Sequence, residues 1–307
     1  MLLSLSVIRD YIQSWYEAVF RKGYLTAIAC LLAVIISFNY SYSFPGSHNW
    51  WIRLLLGYLL YLVPFGLAWL LQWFYFNEDR SGFSKPWFWI LLFAAPAFFA
   101  FRVSFNFHEN ILQSIIPAKN LRYAMAVTGY IIKVILLMLP VIFIWYVKDR
   151  NHHTLYGFSG SSNNKLYFIL LLMMMPLVFT AASFPDFLQA YPKASINAGL
   201  HTAGSIWDLL LFELAYALDF LSIEFFFRGF LIIAFTRYFG MRAIVPAACF
   251  YCCIHLGKPM AEAISSFFGG LLLGIISYHT RSIWGGLFIH IGIAWLMEIA
   301  AYVSHHF

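Results

Sequence analysis

The sequence predicts an all-α, polytopic integral membrane protein with about nine transmembrane helices. Three observations carry that expectation. Of 307 residues, 62% are hydrophobic and 10% charged, whereas soluble domains carry about 25% charge, and mean hydropathy is +0.76. Several apolar runs reach the roughly 20 residues that a helix needs to cross the hydrocarbon core. Strict apolar/polar alternation over ten-residue stretches is absent, and Leu166 to Phe184 is apolar on every face. That excludes a β-barrel and leaves helices as the structure able to satisfy its own backbone in lipid.

The elements follow in chain order. Residues Leu2 to Phe20 put Ile8, Tyr11, Ile12, Trp15 and Val19 on one stripe, with Arg9, Asp10, Gln13 and Glu17 largely opposite. That spacing predicts an amphipathic helix lying at the membrane surface. Nine spans follow at about 24–43, 52–76, 87–104, 124–147, 166–184, 206–236, 242–256, 261–279 and 282–303, the seventh being the shortest. Pro64, Pro96, Pro140 and Pro176 fall inside spans two to five, where membrane helices tolerate proline if neighbours satisfy the freed carbonyls. The polar stretch Pro185 to Ser205 separates two halves of different composition. The chain therefore divides into 1–195, an amphipathic helix plus a five-span region, and 196–307, a unit of four helices.

The formal charge of +6 comes from 19 Lys and Arg against 13 Asp and Glu. These bases form no long run and mostly flank apolar segments, so they read as topology signals and not as a nucleic-acid surface. With the N-terminus in the cytoplasm, the inner side holds Arg9, Arg21, Lys22, Arg80, Lys85, Lys148, Arg150, Lys165, Arg237, Arg242 and Arg281. The outer side holds Arg53, Arg102, Lys119, Arg122, Lys193 and Lys258. The excess favours that orientation. Cys30, Cys249, Cys252 and Cys253 all lie in apolar segments and form no disulfide framework.

Ionisable groups inside the membrane are functional suspects. The first half has one plainly mid-span charge, Lys133, read as structural. The second half has Glu213, Asp219, Glu224 and Arg228 on one long helix, then His255 and His290 in later spans. Glu224 and Arg228 are four residues apart, so they share a face and pair. At about 1.5 Å per residue, Glu224, His255 and His290 lie roughly 18, 20 and 12 Å from the cytoplasmic ends of their helices, close to one layer. One carboxylate and two imidazoles at one depth fit either a general base activating water for attack on a carbonyl or a divalent metal site, such as zinc, with an open position. The metal candidates are Glu224, His255 and His290, although His-Glu-x-x-His spacing is missing. Cys249-x-x-Cys252-x-x-His255 fans round its helix and reads as packing. Ser266, Gly270 and Gly274 form a small-residue ladder that lets a neighbouring helix approach.

From Phe212 to Tyr302 the chain resembles the CAAX protease and bacteriocin-processing (CPBP) family of intramembrane endopeptidases, which includes the type II CAAX prenyl endopeptidases. Ile223-Glu224-Phe225-Phe226-Phe227-Arg228-Gly229 resembles the family's Glu-Glu-x-x-x-Arg motif. Tyr251-Cys252-Cys253-Ile254-His255 is similar to its aromatic-and-His motif, continued by Leu256-Gly257-Lys258-Pro259, and His290 takes the place of the third-motif His. The resemblance implies a hydrolase acting on a membrane-associated polypeptide in a bacterial cytoplasmic membrane. It implies that Glu224 and His255 activate water, His290 binds the scissile carbonyl, and Arg228 orients the carboxylate. The chain departs from the family at Ile223, where the family has its first Glu, and at Ala294, where it has Asn or Asp. Asp219, four residues before Ile223, is the reserve base. Two other readings stay open: a non-catalytic scaffold or immunity-type protein of the same fold, and a transporter using Lys133, Glu213, Asp219 and Glu298.

Overall fold

The computed structural model describes residues 2–41, 49–151, 154–159, 164–200 and 205–306, and those residues form helices joined by short turns, with no strand among them. Helix α1 (Leu2–Val19) turns Ile8, Trp15 and Val19 inward, while Ile12 stays exposed. Its Tyr11 ring stacks on His279 at 4.1 Å, so the amphipathic stripe is covered partly by protein. In α2 (Lys22–Ser41) only Tyr24, Ile28 and Leu32 are buried. That four-residue period is one narrow face against α3, and the apolar remainder is open to lipid. Residues 42 and 43 of the expected first span lie outside the described residues.

Helix α3 (Trp50–Tyr75) starts where the Asn49 side chain accepts from Trp51 N–H at 2.9 Å and Ile52 N–H at 3.3 Å. This satisfies two of the amides that a helix start leaves unpaired. Helix α4 (Pro86–Ser104) starts on a proline, which lacks only a hydrogen that the first turn cannot use. It is followed by α5 (Phe107–Ile115), α6 (Ala118–Ile144) with a π turn at Trp145–Asp149, and α7 (Asn164–Ala181). The four prolines fall inside α3, α4, α6 and α7, each of which continues through its proline.

Two six-residue helices, α8 (Pro185–Ala190) and α9 (Lys193–Ala198), lead to α10 (Ile206–Glu224). This helix passes without a break into a ten-residue π-helical segment, Phe225–Ala234, and then α11 (Phe235–Phe239), ended by Gly240 at φ 55°. Helices α12 (Ile244–Cys253), α13 (Met260–Thr280) and α14 (Trp284–His306) complete the chain. The core lies where the two halves meet. Phe65 and Phe99 from α3 and α4 pack with Phe226, Phe227 and Phe250, ring centroids 5.2 to 5.7 Å apart.

Among the described residues, six helices are long and apolar enough to cross a membrane: Lys22–Ser41, Trp50–Tyr75, Pro86–Ile115, Ala118–Asp149, Met260–Thr280 and Trp284–His305. The protein is thus an integral membrane protein, and nine is not the number that length and composition alone deliver. The differences have physical causes. Helix α10 carries Asp208, Glu213, Asp219 and Glu224, too many acids for a simple lipid-facing span. Helix α12 has 10 residues, all buried, and at 1.5 Å per residue covers about half of the roughly 30 Å hydrocarbon core.

Candidate active site

The site is built on the junction of α10 with the π-helical segment. Glu224 is the last residue of α10 and is fully buried. Arg228, on the same face, sets its Nε 3.6 Å from Glu224 Oε2, so the expected four-residue pairing is present. The Arg228 guanidinium lies over the Tyr251 ring, 4.3 Å from its centroid. Cation–π attraction of this kind offsets part of the cost of burying the charge. From α14, His290 reaches Glu224: its Nδ1–H donates to Oε1 at 3.0 Å. A carboxylate facing an arginine can only accept, so Nδ1 carries a proton, and in the neutral ring Nε2 keeps its lone pair. The Tyr251 hydroxyl of α12 donates to that lone pair at 3.2 Å.

His255 stands one turn beyond Tyr251. Its Nδ1–H donates to the Tyr251 carbonyl at 2.9 Å, and the two rings are 4.7 Å apart. Because a carbonyl only accepts, His255 is likewise fixed with the proton on Nδ1 and a lone pair on Nε2. Glu224, Arg228, His290, Tyr251 and His255 form one continuous set of contacts from α10, the π-helical segment, α12 with the turn that follows it, and α14. The geometry depends on missing side chains nearby. A Cβ on Gly286 would fall 2.1 Å from Glu224 Oε2, and one on Gly270 would fall 3.2 Å from Tyr251 Cδ1. The ladder foreseen at Ser266, Gly270 and Gly274 packs α13 on α12, where a Cβ on Gly274 would come within 2.9 Å of Ile244.

Asp219, the reserve base, stands elsewhere. It forms an ion pair with Arg102 of α4, both largely buried, and accepts from Ser222 Oγ at 3.4 Å. Arg102 was read from sequence as an outer-side charge; nothing local in sequence links it to a residue 117 positions away. Ile223 is buried in the main core and Ala294 lies among Tyr130, Phe212, Ala215 and Tyr216. Both departures from the family motif are filled by apolar packing. Cys249 is buried, and Cys252 donates its thiol to the Ala263 carbonyl, as packing residues do.

No group of three or more His, Cys, Asp or Glu side chains is arranged to hold a metal ion among the described residues. In this arrangement His290 has one ring nitrogen on Glu224 and the other on Tyr251. As arranged here, Glu224, His255 and His290 do not fit a three-ligand centre.

Residues 205–296 match the type II CAAX prenyl endopeptidase Rce1-like family. The Rce1-like segment begins at the cap of α10 and ends two residues beyond Ala294, so it contains every residue of the cluster. It overlaps the resemblance drawn from the motifs from Phe212 to residue 296 and leaves α1 to α9 outside it. Comparisons with curated proteins and with solved structures give no match.

Proposed function

We propose that the chain is an intramembrane endopeptidase that hydrolyses a peptide bond in a membrane-associated polypeptide, with 196–307 as the catalytic unit and 1–195 as its scaffold. The observation that carries this reading is the buried Glu224–His290 hydrogen bond of 3.0 Å, flanked by Arg228 and joined through Tyr251 to His255. A carboxylate holding one imidazole nitrogen turns the other into a base, because the imidazolium formed on proton uptake is stabilised by the adjacent charge. Two imidazoles with Nε2 lone pairs suit one task well: one orients a water molecule and the other receives its proton as the water attacks a carbonyl. Arg228 keeps Glu224 charged and in register.

The reading includes nine crossings. Arg242, just before α12, pairs with Asp79 in the α3–α4 loop, and Lys258, just after it, accepts through its carbonyl from Tyr40 near the end of α2. We read the segment 242–258 as running the height of α2, with α12 continued by turns in which His255 is buried and Ile254, Leu256 and Lys258 are half-buried. With the N-terminus cytoplasmic, α14 ends on the outer side of a bacterial inner membrane.

The scaffold reading is favoured by Ile223 and Ala294, and one experiment separates the two. Purified full-length protein in liposomes is given a quenched fluorescent peptide with a farnesylated C-terminal Cys-aliphatic-aliphatic tail. Cleavage by wild type that disappears in a folded Glu224→Gln variant supports the peptidase. Equal, absent cleavage by both, with cleavage gained in Ile223→Glu, establishes the scaffold instead.

A further inference from the structure

The aromatic position of the second motif carries, in this chain, a hydroxyl that the function has not yet used. Tyr251 is 5% exposed, and its ring is fixed by Phe227 at 5.0 Å, by the Arg228 guanidinium and by the close approach of Gly270. Packing would be served equally by phenylalanine. The hydroxyl, however, points at His290 Nε2, whose opposite nitrogen is held by Glu224. Carboxylate, imidazole and hydroxyl thus stand in line, at 3.0 and 3.2 Å. In hydrolases the same order makes the hydroxyl the group that meets the reacting atoms.

The two imidazoles are not equivalent. Both present Nε2 lone pairs, but His290 is backed by an anionic carboxylate and His255 by a neutral carbonyl. Proton uptake creates a cation, and a cation is stabilised far more by a carboxylate at hydrogen-bond distance than by a carbonyl dipole. His290 is therefore the proton's destination and His255 the group that orients the water. His290 Nε2 is met by the Tyr251 hydroxyl at 3.2 Å, so the phenol oxygen offers a proton from water a hydrogen-bonded route to it.

Resting on the peptidase reading, we propose that Tyr251 is a catalytic proton relay between the attacking water and the His290–Glu224 pair. As the water oxygen bonds to the scissile carbon, the carbonyl π pair moves onto its oxygen. The water proton passes to Tyr251 Oη while the Tyr251 proton moves to His290 Nε2, giving an imidazolium beside Glu224. On collapse the oxygen pair re-forms the carbonyl and the C–N bond breaks. The imidazolium proton returns through Tyr251 to the leaving nitrogen, and the products are a carboxylic acid and an amine.

The test is Tyr251→Phe in the full-length protein, with two readouts. Kinetics on the farnesylated peptide should show kcat down about 100-fold, the scale of one general acid–base contribution, with KM within about twofold. The solvent deuterium effect should fall from a two-proton to a one-proton dependence. Side-chain 15N spectra of histidine-labelled protein in nanodiscs should show the His290 Nε2 resonance moving when the hydroxyl is removed. An active wild type with an equally active Tyr251→Phe overturns the relay and leaves the peptidase standing. An unmoved His290 Nε2 resonance overturns the relay whatever the kinetics. A wild type that cleaves nothing, as in the scaffold outcome above, removes both.

Discussion

Gly286 sets the most direct test of how tightly the candidate site is built. Alanine there would put its Cβ 2.1 Å from Glu224 Oε2, 3.1 Å from Glu224 Cδ and 3.6 Å from Arg228 Cγ. Ordinary contact needs about 3.5 Å, so the carboxyl group has to retreat by roughly 1.4 Å. A flexible, exposed glutamate would do so at little cost. Glu224 is fully buried and tied to His290 on one side and Arg228 on the other, so retreat breaks the 3.0 Å bond or drags α14 outward. Misplacement of about 1 Å in a catalytic group costs on the order of 100-fold, equivalent to about 2.7 kcal/mol of transition-state stabilisation. Overpacking costs about 1–3 kcal/mol of stability, partly offset by the roughly 1 kcal/mol that alanine gains over glycine in a helix. Gly269→Ala is the control, since a Cβ there meets nothing within 4 Å. Peptide cleavage in liposomes and thermal unfolding of both variants decide the matter. Full activity in Gly286→Ala, indistinguishable from Gly269→Ala, would refute the claim that Glu224 position matters to the reaction.

Three further expectations follow from other parts of the structure. Arg102→Met takes from Asp219 its ion-pair partner and leaves it the more distant charge of Lys133, so it should cost about 3 kcal/mol, the lower end for a broken buried pair, most of it recovered in Arg102→Met/Asp219→Leu; a single variant as stable as wild type in thermal unfolding contradicts the buried pair. In the α3–α4 loop, the Ser81 hydroxyl and then the Arg242 guanidinium hold the Asp79 carboxyl below its ordinary value of 3.8. A depressed folded value stabilises above the ordinary range and is lost as pH falls through it, so wild type should exceed Asp79→Asn in unfolding midpoint at pH 7 and lose that margin below about pH 4. A reporter active only in the cytoplasm, fused after Phe307, should be silent; activity would remove one crossing, and α12 would be the first to reconsider.

What the sequence determined about this protein is what depends on neighbours along the chain or on the solvent. Lipid forces helices, so composition alone established an all-α membrane protein. Helical period put Glu224 and Arg228 on one face, Tyr251 beside His255, and Gly270 and Gly274 on a face that a neighbour approaches; each is found in the structure. Spans were less legible, because a helix with four acids and a helix of ten residues do not have the composition or length of a simple span. Tertiary structure alone decided the rest. Asp219 meets Arg102, Glu224 meets His290, Tyr251 meets His290 Nε2 and Gly286 makes room for Glu224. Depth counting brought Glu224 and His290 to one layer, but it left each helix free to rotate about its axis. Helix rotation is set by side-chain packing between elements far apart in the chain, and that packing turned Asp219 towards α4 and Glu224 towards α14.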